Sequence, residues 1–209
     1  PGPALPYGVR STSAGTGTRT LANDLAVSGD VSITGANRRH YVFSSGNILG
    51  TAGTLTIDNT SDTGAASVGF SGTGFIFTSG VAFAEAFGEL RLLNTTGTQT
   101  FDGAISGSGL VRRNAAGGTT VLSGNNAPFS GGVSIDAGTL SIGHDVALGT
   151  GTLTLNGGTV AASGGARAPT NAISFLVNST IGGTDNLTFS GGLAQSTGSR
   201  TLTVNNAGV

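Results

Sequence analysis

The acid–base side chains of this 209-residue chain are ten carboxylates and two histidines. The acids are Asp24, Asp30, Asp58, Asp62, Asp102, Asp136, Asp145, Asp185, Glu85 and Glu89, and the histidines are His40 and His144. Asp58 and Asp62 stand four apart, as do Glu85 and Glu89. Two carboxyls roughly 5–9.5 Å apart across a sugar would suffice for glycoside hydrolysis, yet nothing singles out a pair. Tryptophan is absent and Tyr7 and Tyr41 are the only tyrosines, which leaves little aromatic surface for stacking sugars. His144-Asp145 offers neighbouring groups for a metal or a proton relay, but no third partner is identifiable, so a polar turn is expected there. No G-x-S-x-G elbow marks a nucleophile.

Two further patterns invite chemistry. Gly182-Gly183-Thr184-Asp185-Asn186-Leu187 has the look of a calcium-binding nonapeptide but lacks its second spaced glycine and any tandem copy. It is read as a Gly/Asp turn. Thr54-Leu55-Thr56, Thr152-Leu153-Thr154 and Thr201-Leu202-Thr203 suggest an ice-ordering threonine array. Such an array needs these pairs on one face at every coil, and their spacings are irregular, so they are read as ordinary outward strand residues. Sequons stand at Asn59, Asn94, Asn178 and Asn186 and matter only in a eukaryotic source. Catalytic, cofactor-binding and metal-ligating residues are therefore all expected to be none, and the chain is not expected to be an enzyme.

The composition asks what elements such residues sit on. Glycine occupies 38 positions, charged residues are 9% and hydrophobic residues 37%, with a net charge of -1. Disordered chains combine low hydrophobicity with high net charge, so a folded chain rich in tight turns is expected. Cysteine is absent, which excludes disulfides and thiolate metal sites and is compatible with export. No run approaches the roughly 20 apolar residues of a membrane helix. Near-neutral charge removes the basic footprint of a nucleic-acid partner. The only basic pairs, Arg38-Arg39 and Arg112-Arg113, are read as solvated turn residues. Opening at Pro1 without methionine, the chain is expected to be a processed protein or a fragment.

Short units alternating apolar with hydroxyl residues recur along the chain. They stand at Val31-Ser32-Ile33, Leu55-Thr56-Ile57, Val133-Ser134-Ile135, Leu140-Ser141-Ile142, Leu153-Thr154-Leu155, Leu187-Thr188-Phe189 and Leu202-Thr203-Val204. Alternation sends the aliphatic residues to one face of a strand and Ser or Thr to the other. Gly131-Gly132-Val133-Ser134-Ile135 recurs twenty positions later as Gly151-Thr152-Leu153-Thr154-Leu155. Ala137-Gly138-Thr139-Leu140 recurs at the same offset as Gly157-Gly158-Thr159-Val160. Two strand types sharing one offset imply a coil of about 20 residues with at least two strands per turn, the signature of a solenoid. A β-sandwich is the structural competitor. The expected fold is an all-β, single-stranded parallel β-helix of roughly ten coils, about 45–50 Å long. Residues 1–19 are expected to form an irregular segment or cap and 20–209 the helix. Residues 81–90 tolerate a helix, but Val81, Phe83 and Phe87 alternate and favour a strand.

One stretch is similar to a known family. Gly103-Ala104-Ile105-Ser106-Gly107-Ser108-Gly109-Leu110-Val111 leads to Gly118-Thr119-Thr120-Val121-Leu122-Ser123-Gly124-Asn125-Asn126. Then comes Phe129-Ser130-Gly131-Gly132-Val133-Ser134-Ile135-Asp136-Ala137-Gly138-Thr139-Leu140. This order resembles the autotransporter-associated β-helix repeat: an "ISGSG" start, an "LSG-N" turn, an aromatic plus "GG", and a closing "AGTL". The likeness is specific over residues 101–162. It implies a right-handed parallel β-helix presented outside the cell, a structural module without catalytic residues to carry over. The expected role is a stalk or adhesin scaffold at the bacterial surface or secreted. The alternatives are a filament or surface-layer subunit associating end to end, and a protein that binds or cleaves a glycan.

Overall fold

The computed structural model describes residues 7–10, 17–34, 39–58 and 66–207. Arg38, Asn59 and Asp62 lie outside them. Every described strand pair is parallel, and among the described residues there is no helix. The chain winds as a β-solenoid with three faces. The first face stacks β1 (Tyr7–Arg10), β4 (Val31–Thr34), β7 (Thr54–Asp58), β10 (Gly80–Phe83) and β13 (Ile105–Ser106). Bridges Gly107↔Phe129 and Arg167↔Leu187 follow the same path further along. On the second face lie β2 (Gly17–Leu21), β5 (Arg39–Phe43), β8 (Ala66–Phe70), β11 (Gly88–Leu92) and the first part of β14 (Leu110–Leu122). It continues through the first part of β15 (Gly132–Ile142), β16 (Leu153–Leu155), β18 (Ile173–Phe175) and β20 (Leu193–Gln195). The third face holds β3 (Leu25–Val27), β6 (Ile48–Gly50), β9 (Ile76–Phe77), β12 (Thr98–Phe101) and the second parts of β14 and β15. It ends with β17 (Thr159–Ala162), β19 (Ser179–Gly183) and β21 (Leu202–Asn206).

The twenty-residue offset is the coil itself: Val133 pairs with Leu153, Leu153 with Ile173, and Ile173 with Leu193. The N-terminal coils are longer. Gly17 pairs with Arg39, and His40 sits 27 residues from its partner Ser67. Longer coils lower the number of turns from the expected ten to about eight. At the spacing of adjacent strands the rod is about 40 Å long. β1 and β2 fall at or inside the segment expected to be irregular, and both pair in register with the next coil. Residues 81–90 are β10, a turn and β11.

Period-two alternation puts one side of each strand inside. On the second face the stacks Tyr41–Val68–Leu90–Val111–Val133–Leu153 and Phe43–Phe70–Leu92 are all buried. Wider N-terminal coils need larger fillers. Phe43, Phe70, Phe75, Phe77 and Phe101 supply them, with ring centroids 5.4–6.1 Å apart. The 20-residue coils are filled by Leu153, Leu155, Val160 and Ala162 instead.

The corner between the second and third faces explains the recurring Gly-Thr. Gly97, Gly118, Gly138 and Gly158 have φ of 57°, 56°, 68° and 61°, the left-handed region that favours glycine. The preceding coil also passes too close for a side chain: a Cβ on Gly138 would lie 2.4 Å from the Ala115 carbonyl oxygen. The last described coil leaves inward positions open. Leu193 is 58% and Val204 65% exposed, and Val204 lines a cavity with Ile181, Leu187 and Thr188.

Candidate functional site

Four acids tie turns to a neighbouring coil. Thr54 N donates to Asp30 Oδ1 (2.9 Å), Ala168 N to Asp145 Oδ1 (3.0 Å) and Gly165 N to Asp185 Oδ2 (2.9 Å). The Ser45 hydroxyl donates to Asp24 Oδ1 (2.6 Å). His144 Nδ1 accepts from Val146 N (3.2 Å), so the His144-Asp145 pair is a turn. The calcium-like segment begins in β19 and bends at Thr184-Asp185, where Asp185 holds the turn. Glu85 and Glu89 are separated by the fold: Glu85 is exposed in the turn before β11, whereas Glu89 is buried within it. Among the described residues no three His, Asp or Glu side chains converge.

The charges that do gather lie on the outward side of the second face. Register places His40, Ser67 and Glu89 in one row on successive strands, with Arg91, Arg112 and Ser134 in the neighbouring row. Arg112 spans coils, donating to Glu89 Oε1 (2.5 Å) on one side and Asp136 Oδ2 (2.7 Å) on the other. Arg91 Nε lies 2.9 Å from Glu89 Oε2. Burial alone would lower the Arg112 pKa, but the hydrogen bonds and charges of Asp136 and Glu89 outweigh it and raise it. Burial likewise pushes Asp136 up. Hydrogen bonds from Ser134, Asn156 and Arg112, with the charge of Arg112, hold it below the usual carboxylate range. Asp136 is therefore a held carboxylate rather than a proton donor.

His40 Nδ1 and Ser67 Oγ are 2.6 Å apart, the contact of a base with a nucleophile. Burial first, and then the charge of Arg91, keep this imidazole below its ordinary pKa, with Glu89 opposing. Two features speak against hydrolysis. Ser67 is 1% exposed, and it stands between His40 and Glu89 in the row, so the acid does not orient the imidazole.

Arg112-Arg113 corrects the expectation of solvated turn residues: Arg112 is a bridge and Arg113 is in the core. Arg113 occupies the inward position between Leu92 and Ile135 and is 0% exposed. Its guanidinium donates to the carbonyls of Leu92 (2.9 Å), Asn94 (2.8 Å), Gly117, Gly118 (3.1 Å) and Thr139 (3.4 Å). No carboxylate joins them, and burial lowers the pKa to about 10, leaving the group charged at neutral pH. Polar groups line the core beside it. Asn94 Nδ2 donates to the carbonyls of Thr96 (3.2 Å), Gly97 (3.2 Å) and Thr119 (3.0 Å). Thr120 Oγ1 lies 2.8 Å from the Gln99 amide. Asn126 accepts from Ile105 N (2.7 Å) and donates to the Ala147 carbonyl (2.6 Å). The missed signal for Arg113 is parity: Val111 and Arg113 align with the inward Val133 and Ile135.

These features define a parallel β-solenoid whose polar side chains tie coil to coil. Comparison with family models, curated proteins and solved structures returns no match. Among the described residues no helix is long and apolar enough to cross a membrane.

Proposed function

We propose that this chain is a non-catalytic, right-handed β-helix acting as a stalk or adhesin scaffold outside the cell. One observation carries the reading: the charged residues that gather in this structure bridge coils. Asp30, Asp145 and Asp185 cap turns, Arg112 links three successive coils, and Arg113 ties carbonyls inside the core. Right-handed winding follows from the strong preference of parallel crossovers. The extracellular setting and the adhesin role rest on the resemblance of residues 101–162 to autotransporter-associated repeats. Antibody labelling of intact source cells tests it. Labelling without lysis is expected, and signal only after lysis would refute the placement.

A second reading has its own support. β20 and β21 carry no charge or proline to discourage pairing with a further strand. A filament subunit stacking end to end would cover them. Particles that stay monomeric in electron micrographs across a concentration series would exclude this reading.

A further inference from the structure

We propose that the outward threonine row of the third face is an ice-binding surface. Pair by pair, register aligns Thr98, Thr119, Thr139, Thr159, Thr180 and Thr203 on six successive strands. Adjacent strands are about 4.8 Å apart, so a hydroxyl and a methyl recur at that interval along the axis. This repeat is close to the spacing of water oxygens along one axis of hexagonal ice. The residues after the central threonines, Thr120, Leu140 and Val160, point inward and are fully buried, which fixes the row on the outer side.

The surroundings suit a water lattice better than a soluble ligand. Before each of the first four threonines stands a left-handed glycine, Gly97, Gly118, Gly138 or Gly158, so no side chain overhangs the row from that corner. The shallow trough along the row is lined by glycines, threonines, Asn178 and Ser179, without a charge or an aromatic ring. Two residues further on, register aligns Thr100, Val121, Ser141, Ala161 and Gly182 in a parallel row, in which Ser141 and Ala161 are buried and no long side chain stands over the threonines. A glycan site would want rings or charges to grip, whereas ordered water needs only a repeating hydroxyl and methyl on a rigid frame. The frame is rigid because ladders on both sides fix each inner strand, so little order has to be created on binding.

The sequence hides this row behind a decoy. Of the residues in the Thr-Leu-Thr units only Thr203 belongs to it. The informative signal is the Gly-Thr dipeptide at 97–98, 118–119, 138–139 and 158–159.

Ice-affinity partition of the purified chain tests the proposal, together with microscopy of single ice crystals in its presence. The wild type should concentrate in slowly grown ice and facet the crystals. Thr139→Tyr and Thr159→Tyr should abolish both effects with unchanged circular dichroism, and Thr203→Tyr, at the exposed end of the row, should weaken them. Thr56→Tyr, on the outward side of the first face, should bind as the wild type does. Exclusion of the wild type from ice to the extent of a non-binding control protein overturns the proposal. So does undiminished binding by the folded tyrosine variants.

Discussion

Arg113 is an aliphatic position filled by a cation, and its cost is offset only by carbonyls. Truncation would leave the carbonyls of Leu92, Asn94, Gly117, Gly118 and Thr139 buried without a donor. Arg113→Ala is expected to lose about 3–5 kcal/mol in urea unfolding. Arg113→Lys should also lose stability, since one ammonium cannot reach carbonyls spread over three coils as a planar guanidinium does. A loss below about 1 kcal/mol for alanine would show that the carbonyls find other partners. Two outward groups give the fold a pH dependence of one sign. His40 and Asp136 both have folded pKa values below their ordinary values of 6.5 and 3.8. The unfolded chain therefore binds protons first as pH falls. Stability should decline below about pH 6.5 through His40 and again below about pH 3.8 through Asp136. His40→Gln should flatten the upper decline and Asp136→Asn the lower one in melts run across pH.

At the scale of the element, the corner between the second and third faces combines a left-handed backbone with a close approach, and so tolerates a side chain poorly. Gly138→Val is expected to cost about 1–3 kcal/mol through its left-handed backbone alone, and the 2.4 Å approach to Ala115 O adds to that. Gly132→Ala is the control: its nearest neighbour would be 3.5 Å away, and its melting temperature should barely move. These corners also show why part of the fold is legible in the sequence. Where coils are 20 residues long, the strand and its glycine corner recur together, so residues 131–162 announce the solenoid. Where His40 pairs with Ser67 across 27 residues, insertions move the repeat out of phase and the N-terminal half gives no period. The Arg112 bridge was illegible for a different reason: Glu89 and Asp136 lie on neighbouring coils, and only register brings them to it. The threonine row is legible once the corner glycine is known to precede it.

For the whole molecule, stacked coils make a modular rod in which each turn packs mainly on its neighbours. Removing residues 153–172 brings Ile173 to the register held by Leu153, with Val133 below it. That shortened chain is expected to keep a β-type circular dichroism spectrum and a single cooperative melt at lower temperature. Removing residues 153–162 alone should destroy the melt of the C-terminal coils, because it throws the second face out of phase with the third. The difference between the 27-residue coil and the 20-residue coils has a mechanical consequence. The ladders that join coils run along the rod, so tension between its two ends peels turns off one at a time, as tape leaves a spool. Each 20-residue turn released adds about 65–70 Å of contour and the 27-residue turn about 90 Å. Force spectroscopy should therefore record a staircase of mostly equal steps with a longer one from the N-terminal half. A single rupture of the full length would mean that the turns share their load.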